Sequence, residues 1–519
     1  MPEQRCVRYL KALADPTRLE MVRLLFAEAK CVSDLAAALD STVATTSYHL
    51  KALKQGGIVT ERRRGQHIYY RLAPRIRDSI DPEGTRLDLG CCQLVFAEGR
   101  GGDVATGPTD TAKAASAPPV EVYLDYAATT PVHPAVREAM LPFLDAEYAN
   151  PSSIHTSGRR SRKAISAARE QVAELIGAEP GEVVLTGGGT ESDSLAIIGS
   201  ALARLRDGRR GHIITSAIEH PAVLGACREL EQLGFRVTHV RPEGDFRLDP
   251  NAVLQAIEDD TFLITLMLVN NETGTVQPVR EIAREARQRG ILVHTDAVQA
   301  VGKMAVDVTD LGVDLLSVAA HKFYGPKGVG ALFIRDGVAP LPLAPGHQEN
   351  GRRGGTENVA GIVGFGQAAA LARQELEPRR EHVTTLRERL LGLQDAIPSV
   401  RVNGHPEHQV PYIMNMCLVY VDALLLQTNL SRRGICISVG SACASGKLEP
   451  SYVLRAAGMS DFAAFCSVRF SLGRLLTVED MDRVVGQVAE LSTFLREIRT
   501  PEEIGQCDEN CPCLWEGVA

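Results

Sequence analysis

Two kinds of hydrophobic pattern divide the chain. In "PTRLEMVRLLF" the apolar residues recur at helical spacing, with Pro16 suited to a first turn. "CVSDLAAAL" predicts a second, shorter helix, with Ser33 as its candidate cap. "STVATTSYHLKALKQGG" predicts a third, opened by Ser41 or Thr42 and closed by Gly56 and Gly57. "IVTERRRGQHIYYRL" then switches to two β-rich runs around Arg64 and Gly65, a hairpin.

From Val120 the texture changes. Short apolar runs ("EVVLTGG", "HIITSA", "FRVTHV", "FLITLMLVN", "ILVHTDA", "DLLSVAA", "VGALFI") alternate with helical stretches, the α/β rhythm of a mainly parallel sheet. Between the two textures, "EGRGGDVATGPTDTAKAASAPP" is rich in Gly, Ala, Thr and Pro and has no apolar period. The expected organisation is a head (1–97), a flexible linker (98–119), an α/β body (120–500) and a Cys-containing tail (501–519).

Composition adds compartment and charge. Of 519 residues, 45 % are hydrophobic, and no apolar run reaches the roughly 18 residues of a membrane span. "MPEQRCVRYL" lacks the apolar core of a signal peptide, so a cytoplasmic protein without membrane partners is expected. In that compartment the 12 cysteines suit thiols, metal ligands or catalysts better than disulfides. Residues 1–77 hold 14 Lys+Arg against 7 Asp+Glu, a net of +7, which leaves −15 for the remainder of a chain of formal charge −8. A basic head on an acidic body fits a head that meets a polyanion, or simply a solvated basic face.

Helix, turn, helix and a basic wing is the layout of a winged helix-turn-helix. "LADPTRLEMVRLL", "CVSDLAAAL", "TTSYHLKALKQGGIV" and "RRRGQHIYYRL" are similar to the ArsR/SmtB-type repressors. The resemblance implies a dimer whose third helix enters the major groove, with Thr45, Thr46, Ser47 and His49 facing DNA. It places Arg62, Arg63 and Arg64 on phosphates, where they position without reading bases. A winged helix kept only for dimerisation or protein contact is the alternative. Vicinal Cys91 and Cys92 in "LDLGCCQLVF" suit arsenite, a soft metal or a persulfide, with Cys6 or Cys31 as further candidates. Small buried residues in a dimerisation helix would explain them equally. Related repressors commonly carry a second cysteine where this chain has Ser33.

In the body, candidate chemistry sits just after the apolar runs, at the carboxyl ends of strands, where open α/β sheets bind ligands. "EVVLTGGGTESDSLAIIG" reads as strand, glycine loop and helix, and Gly187 to Thr190 offer a phosphate site. "ILVHTDAVQAVG" ends a strand on Asp296, suited to a pyridinium proton. "DLLSVAAHKFYGPKGVG" delivers His321 and Lys322, a lysine able to form a Schiff base with an aldehyde. Each residue alone fits a surface charge. Together they meet the requirements of pyridoxal 5'-phosphate (PLP).

"YLDYAATTP", "NPSSIHTSGR", "GGGTESDSLAIIG", "IEHPAVL", "VNNETGTVQP", "HTDAVQAVGK", "AHKFYGPKGVGAL", "RRGGTEN", "GSACASGKLEPSYVLRA" and "VRFSLGR" resemble, in family order, the cysteine desulfurases of NifS/IscS type. The resemblance implies PLP fold-type I, with a large domain of mainly parallel sheet and a small α+β domain, in a homodimer. It places the cofactor on Lys322, its pyridine nitrogen on Asp296, and its ring hydroxyl near Gln299 and Asn271. His220 stacks on the ring, and Gly189, Thr190 and His321 hold phosphate with Thr356 of a partner subunit. Arg469, helped by Asn150, grips the carboxylate of L-cysteine. Cys443, in the pliable "SVGSACASGK", takes the substrate sulfur as a persulfide for an acceptor protein while alanine leaves. Ala319 stands where the family often has a phosphate-binding serine, which predicts weaker PLP binding. "LAPGHQENG" is less glycine-rich than the family pattern. Selenocysteine lyase shares this constellation. A transcriptional regulator whose PLP domain only senses a ligand is a third reading, which an intact Lys322 and Cys443 disfavour. Cys507, Cys511 and Cys513 are candidates for metal binding or sulfur relay, or are incidental tail thiols.

Overall fold

The computed structural model describes residues 9, 12–13, 15–26, 28–39, 41–64, 67–77, 79, 86–88, 93–95, 121–439 and 449–497. The linker, the tail and the candidate residues Cys91, Cys92 and Cys443 lie outside them. The chain falls into two compact units, a head within the first 117 residues and a body of residues 118–441 and 450–519.

The head follows the expected elements. Its first helix, Pro16–Leu24, has Pro16 in the first turn and is capped by Asp15, whose carboxylate accepts from Arg18 N at 2.9 Å. Strand β1 (Lys30–Cys31) leads into the second helix, Val32–Ala38. Ser33 is not the cap expected from the sequence. Cys31 occupies that position, and its backbone N–H donates to Asp34 at 3.3 Å. The third helix, Val43–Gly56, starts from Thr42, whose hydroxyl accepts from Thr45 N, and ends on Gly57 at φ 77°, a left-handed cap that favours glycine. β2 (Val59–Arg64) and β3 (His67–Leu72) pair antiparallel as the wing, with β1 on the far edge of β3. β4 (Arg86–Asp88) and β5 (Gln93–Val95) form a further antiparallel pair. Met21, Val22, Leu35, Leu50, Leu53 and Ile58 form the head's core.

Two DNA-facing expectations fail here. Thr46 and His49 are buried, 0 % and 1 % exposed, on the same stripe as Leu50 and Leu53. His49 Nδ1 lies 3.6 Å from Asp15 Oδ1. Neither side chain can reach a base edge while the head is folded. Ser47 is exposed and Thr45 half-buried on the remaining face, and Arg62 and Arg63 are exposed on the wing. The side chain of Arg64 lies outside the described residues.

In the body, all seven apolar runs become strands. After β6 (Val122–Tyr123) come β7 (Val183–Thr186), β8 (His212–Ser216), β9 (Arg236–Val240), β10 (Thr261–Met267), β11 (Leu292–Asp296), β12 (Leu315–Ala319) and β13 (Gly330–Ile334). They form one sheet, ordered β7-β13-β12-β11-β10-β8-β9. β9, β8, β10, β11 and β12 run parallel, while β13 pairs antiparallel with both neighbours. Most strands are buried along their whole length, which is why they read as continuous apolar runs. A second, antiparallel sheet holds β14 (Val400–Asn403), β15 (Ile413–Leu418) and β17 (Ser467–Ser471), with helices Leu376–Leu391 and Val478–Glu497 in contact with each other. β16 (Ile435–Cys436) pairs with β6, so the start and the late part of the body share a ribbon. Among the described residues, no helix is long and apolar enough to cross a membrane.

Candidate active site

β11 and β12 are neighbours, and Asp296 is in register with Ser317, five residues before Lys322. The short helical turn Ala320–Lys322 follows β12 directly. Asp296 and Lys322 therefore stand at the ends of adjacent strands. Asp296 is buried, and its Oδ1 accepts from Val298 N at 2.9 Å. Burial pushes its carboxyl above the ordinary value, opposed by the charges of His220 and Lys322. Buried in this way, the carboxylate needs a cation in front of it to stay ionised.

Lys322 Nζ donates to the carbonyls of Ala127 and Ala128 at 2.7 and 2.8 Å. Burial lowers its pKa to about 8, helped by the charge of Arg469 and opposed by Asp296 and Asp125. His220 caps the helix Pro221–Gln232, with Nδ1 accepting from Ala222 N at 3.2 Å. That bond leaves the proton of the neutral ring on Nε2. Desolvation holds the ring below its ordinary pKa, with Asp296 opposing and Lys322 adding to the effect. Behind these groups Glu219 is fully buried, accepts from Ser216 Oγ and Met267 N, and is raised by burial to about 8.

Beside Lys322, an open recess of about 740 Å³ is lined by Ala128, Thr129, Gly187 to Glu191, His321 and Lys327, among others. The helix Gly189–Arg206 begins in its wall, with Gly188 at the cap. A helix N-terminus of 18 residues with a cationic neighbour is suited to a phosphate. β13 approaches closely here: a Cβ on Gly330 would lie 2.8 Å from Gly188 Cα. His321 Nδ1 is 3.2 Å from Thr129 Oγ1, and burial lowers its pKa to about 4.

Arg469 is held by Asp125 (Nη2 to Oδ1, 2.7 Å) and by the carbonyl of Asn271 (Nη1, 2.8 Å). Its Nε and Asn271 Oδ1 are buried polar atoms without a partner among the described residues. Such orphans fit an absent polar ligand. Amine, buried acid, phosphate recess and orphaned polar atoms together match the demands of PLP and an amino-acid carboxylate.

The comparisons with known proteins agree. Residues 122–484 match the family model described as aminotransferase class-V, and residues 15–61 match that of bacterial regulatory proteins of the arsR family. The body is 46 % identical to a cysteine desulfurase IscS of Dictyoglomus turgidum over 380 residues, 73 % of this chain and 96 % of that protein. The chain belongs to the cysteine desulfurase family. An IscS of Methanosarcina thermophila is 47 % identical over 385 residues, covering 74 % of this chain and 95 % of that one. Among solved structures, one titled a NifS-like protein superposes with a TM-score of 0.68 at 35 % identity, covering 72 % of this chain and all of that one. Another, titled SspA in complex with cysteine, gives 0.61 at 39 %, covering 68 % and 99 %. The cysteine desulfurases are PLP enzymes, and this member carries an ArsR-family helix-turn-helix ahead of that body.

Thr356 lines a cavity of about 80 Å³, with Gln348, Glu349 and Arg353, that shares Gly187 and Gly328 with the recess. Asn150 stands apart from this centre. It is exposed, and its side chain accepts from Ser152 N within a turn. Four contributors carry little signal in the sequence. Asp125 and the carbonyls of Ala127 and Ala128 come from "YLDYAATT", and Lys303 ends "HTDAVQAVGK". A carboxylate in an otherwise apolar segment was the available signal for Asp125. Backbone acceptors leave none. Ala319 is buried at the end of β12, with no hydroxyl to offer.

Proposed function

We propose that the body converts L-cysteine to L-alanine and loads the sulfur onto Cys443 as a persulfide. The observation that carries this reading is the buried Asp296 beside Lys322, with Arg469 held nearby by Asp125. Lys322 Nζ holds the cofactor's aldehyde, Asp296 its pyridine nitrogen, and Gln299 and Asn271 its ring oxygen. Gly189, Thr190 and His321 hold the phosphate. Bound PLP supplies an electron sink for charge released at the substrate α-carbon. Arg469 binds the substrate carboxylate through its Nε and remaining N–H groups. Lys322 Nζ, with a pKa near neutrality, moves the α-proton. His220 stacks on the ring, with the proton of its neutral form on Nε2. Cys443 thiolate attacks the substrate sulfur. A sulfur–sulfur bond forms, the carbon–sulfur bond breaks with its electron pair on carbon, and a proton completes alanine. The persulfide then passes to an acceptor protein.

A homodimer completes the phosphate site through Thr356 of the second copy. The exposed apolar residues Leu141, Leu144, Tyr148 and Ile154 support such an interface. The head binds DNA through Ser47 and Thr45, with Arg62, Arg63 and Arg64 on phosphates. The described cysteines are free thiols, in keeping with a cytoplasmic protein. The test is alanine and sulfide release from L-cysteine by the purified protein. Cys443→Ala should bind PLP and form no persulfide. Undiminished sulfur transfer by that variant would end the proposal.

A further inference from the structure

Lys303 has no part in the chemistry above, yet it is buried at 5 % exposure in the segment after β11. Its Nζ donates to Gln299 Oε1 at 2.5 Å. Gln299 Nε2 donates to the carbonyl of Ala127 at 2.8 Å, and the same carbonyl accepts from Lys322 Nζ at 2.7 Å. A backbone carbonyl only accepts, so the amide edge facing Ala127 is the NH₂. That turns Oε1 toward Lys303, whose amine donates to it in either protonation state. The Ala127 carbonyl therefore fixes the orientation of Gln299, and Lys303 holds its oxygen end. A buried lysine is costly. Burial and the nearby charges of Lys322 and Arg469 all act against its protonated form.

We propose that Lys303 is a positioning residue: it locks Gln299 so that the second N–H of Nε2, never Oε1, meets the ring oxygen of bound PLP and holds that oxygen as the phenolate. The inference rests on the PLP reading and deepens it. A donor opposite the ring oxygen favours the anion, and an acceptor would favour the neutral hydroxyl.

The experiment compares PLP-loaded wild type, Lys303→Met, Gln299→Leu and the double variant, with thermal unfolding as a check on folding. The readouts are the absorption spectrum of bound PLP and the PLP dissociation constant. Lys303→Met should move absorbance from the long-wavelength phenolate band to the short-wavelength hydroxyl band. It should also weaken retention about tenfold, about 1.4 kcal/mol. In the Gln299→Leu background the same change should alter neither readout by more than about twofold, because its effect travels through the amide. A wild-type spectrum in Lys303→Met, or an undiminished effect in the Gln299→Leu background, overturns the proposal. Gln299→Glu keeps a partner for Lys303 but has no N–H, so it should shift the spectrum the same way whether or not Lys303→Met folds. A wild-type spectrum there overturns the proposal equally. If the wild type takes up no PLP, the cofactor reading itself fails. If it loads and both variants keep its spectrum, only this inference fails.

Discussion

The depressed pKa of Lys322 makes a quantitative prediction about how the chain acquires its cofactor. Only a neutral amine attacks an aldehyde. Burial lowers this amine from 10.5 to about 8. At pH 7 a group of that pKa is neutral in about one molecule in ten, against about one in three thousand for an ordinary lysine. Uptake by the apo-protein should therefore run about 300-fold faster at pH 7 than the same amine would allow in open water, other factors equal. The sign follows directly: the rate should climb about tenfold per pH unit below about 8 and level off above it. Stopped-flow absorbance of apo-protein mixed with PLP, across pH 6 to about 9.5, measures this against a free amine control. Arg469→Met removes a charge that disfavours the ammonium and leaves Asp125 uncompensated, so the inflection should move up. A rate still rising tenfold per unit above about pH 9 in the unmodified chain would refute the claim that burial sets this group.

Three further outcomes follow from the structure. Glu349 is 3 % exposed and receives two bonds from Arg169 (2.6 and 2.7 Å) and one from Leu185 N, so Glu349→Gln should cost about 3 kcal/mol in urea unfolding. An unchanged midpoint would show that the pair contributes nothing. In the head, Arg62→Ala and Arg63→Ala should each flatten the salt dependence of DNA binding by about one unit of slope, read by mobility shift. Thr46→Ala should lower the head's melting temperature without altering sequence preference, and a changed preference would return Thr46 to the DNA face.

The sheet was legible because its strands are buried on both faces, which writes each as an uninterrupted apolar run. Asp296 and Lys322 were legible for the same reason, since polar residues closing such runs stand out. The third head helix shows how a polarity-based reading fails. Positions 46, 49, 50 and 53 share one stripe, and Leu50 and Leu53 fix that stripe inward. The family resemblance puts Thr46 and His49 on the DNA, and their helical phase puts them in the core instead. The cap at Cys31 was hidden because the bond there runs from the Cys31 backbone N–H to the Asp34 carboxylate, which no cap residue type announces. Lys303 and Asp125 were hidden because their role depends on segments far apart in the chain.

That distance has a consequence for synthesis. Arg469 meets Asp125 across 344 residues, and Lys322 meets Ala127 across 195. β6 pairs with β16, and Ala127 N donates to Ser471. Contacts this non-local form late, after the intervening chain has been made. A nascent polypeptide carrying Lys322 but not yet Arg469 has the amine without the frame that desolvates it. The frame around Lys322 therefore closes only once the chain has been made as far as Ser471, so a coenzyme held in that frame marks a chain made at least that far.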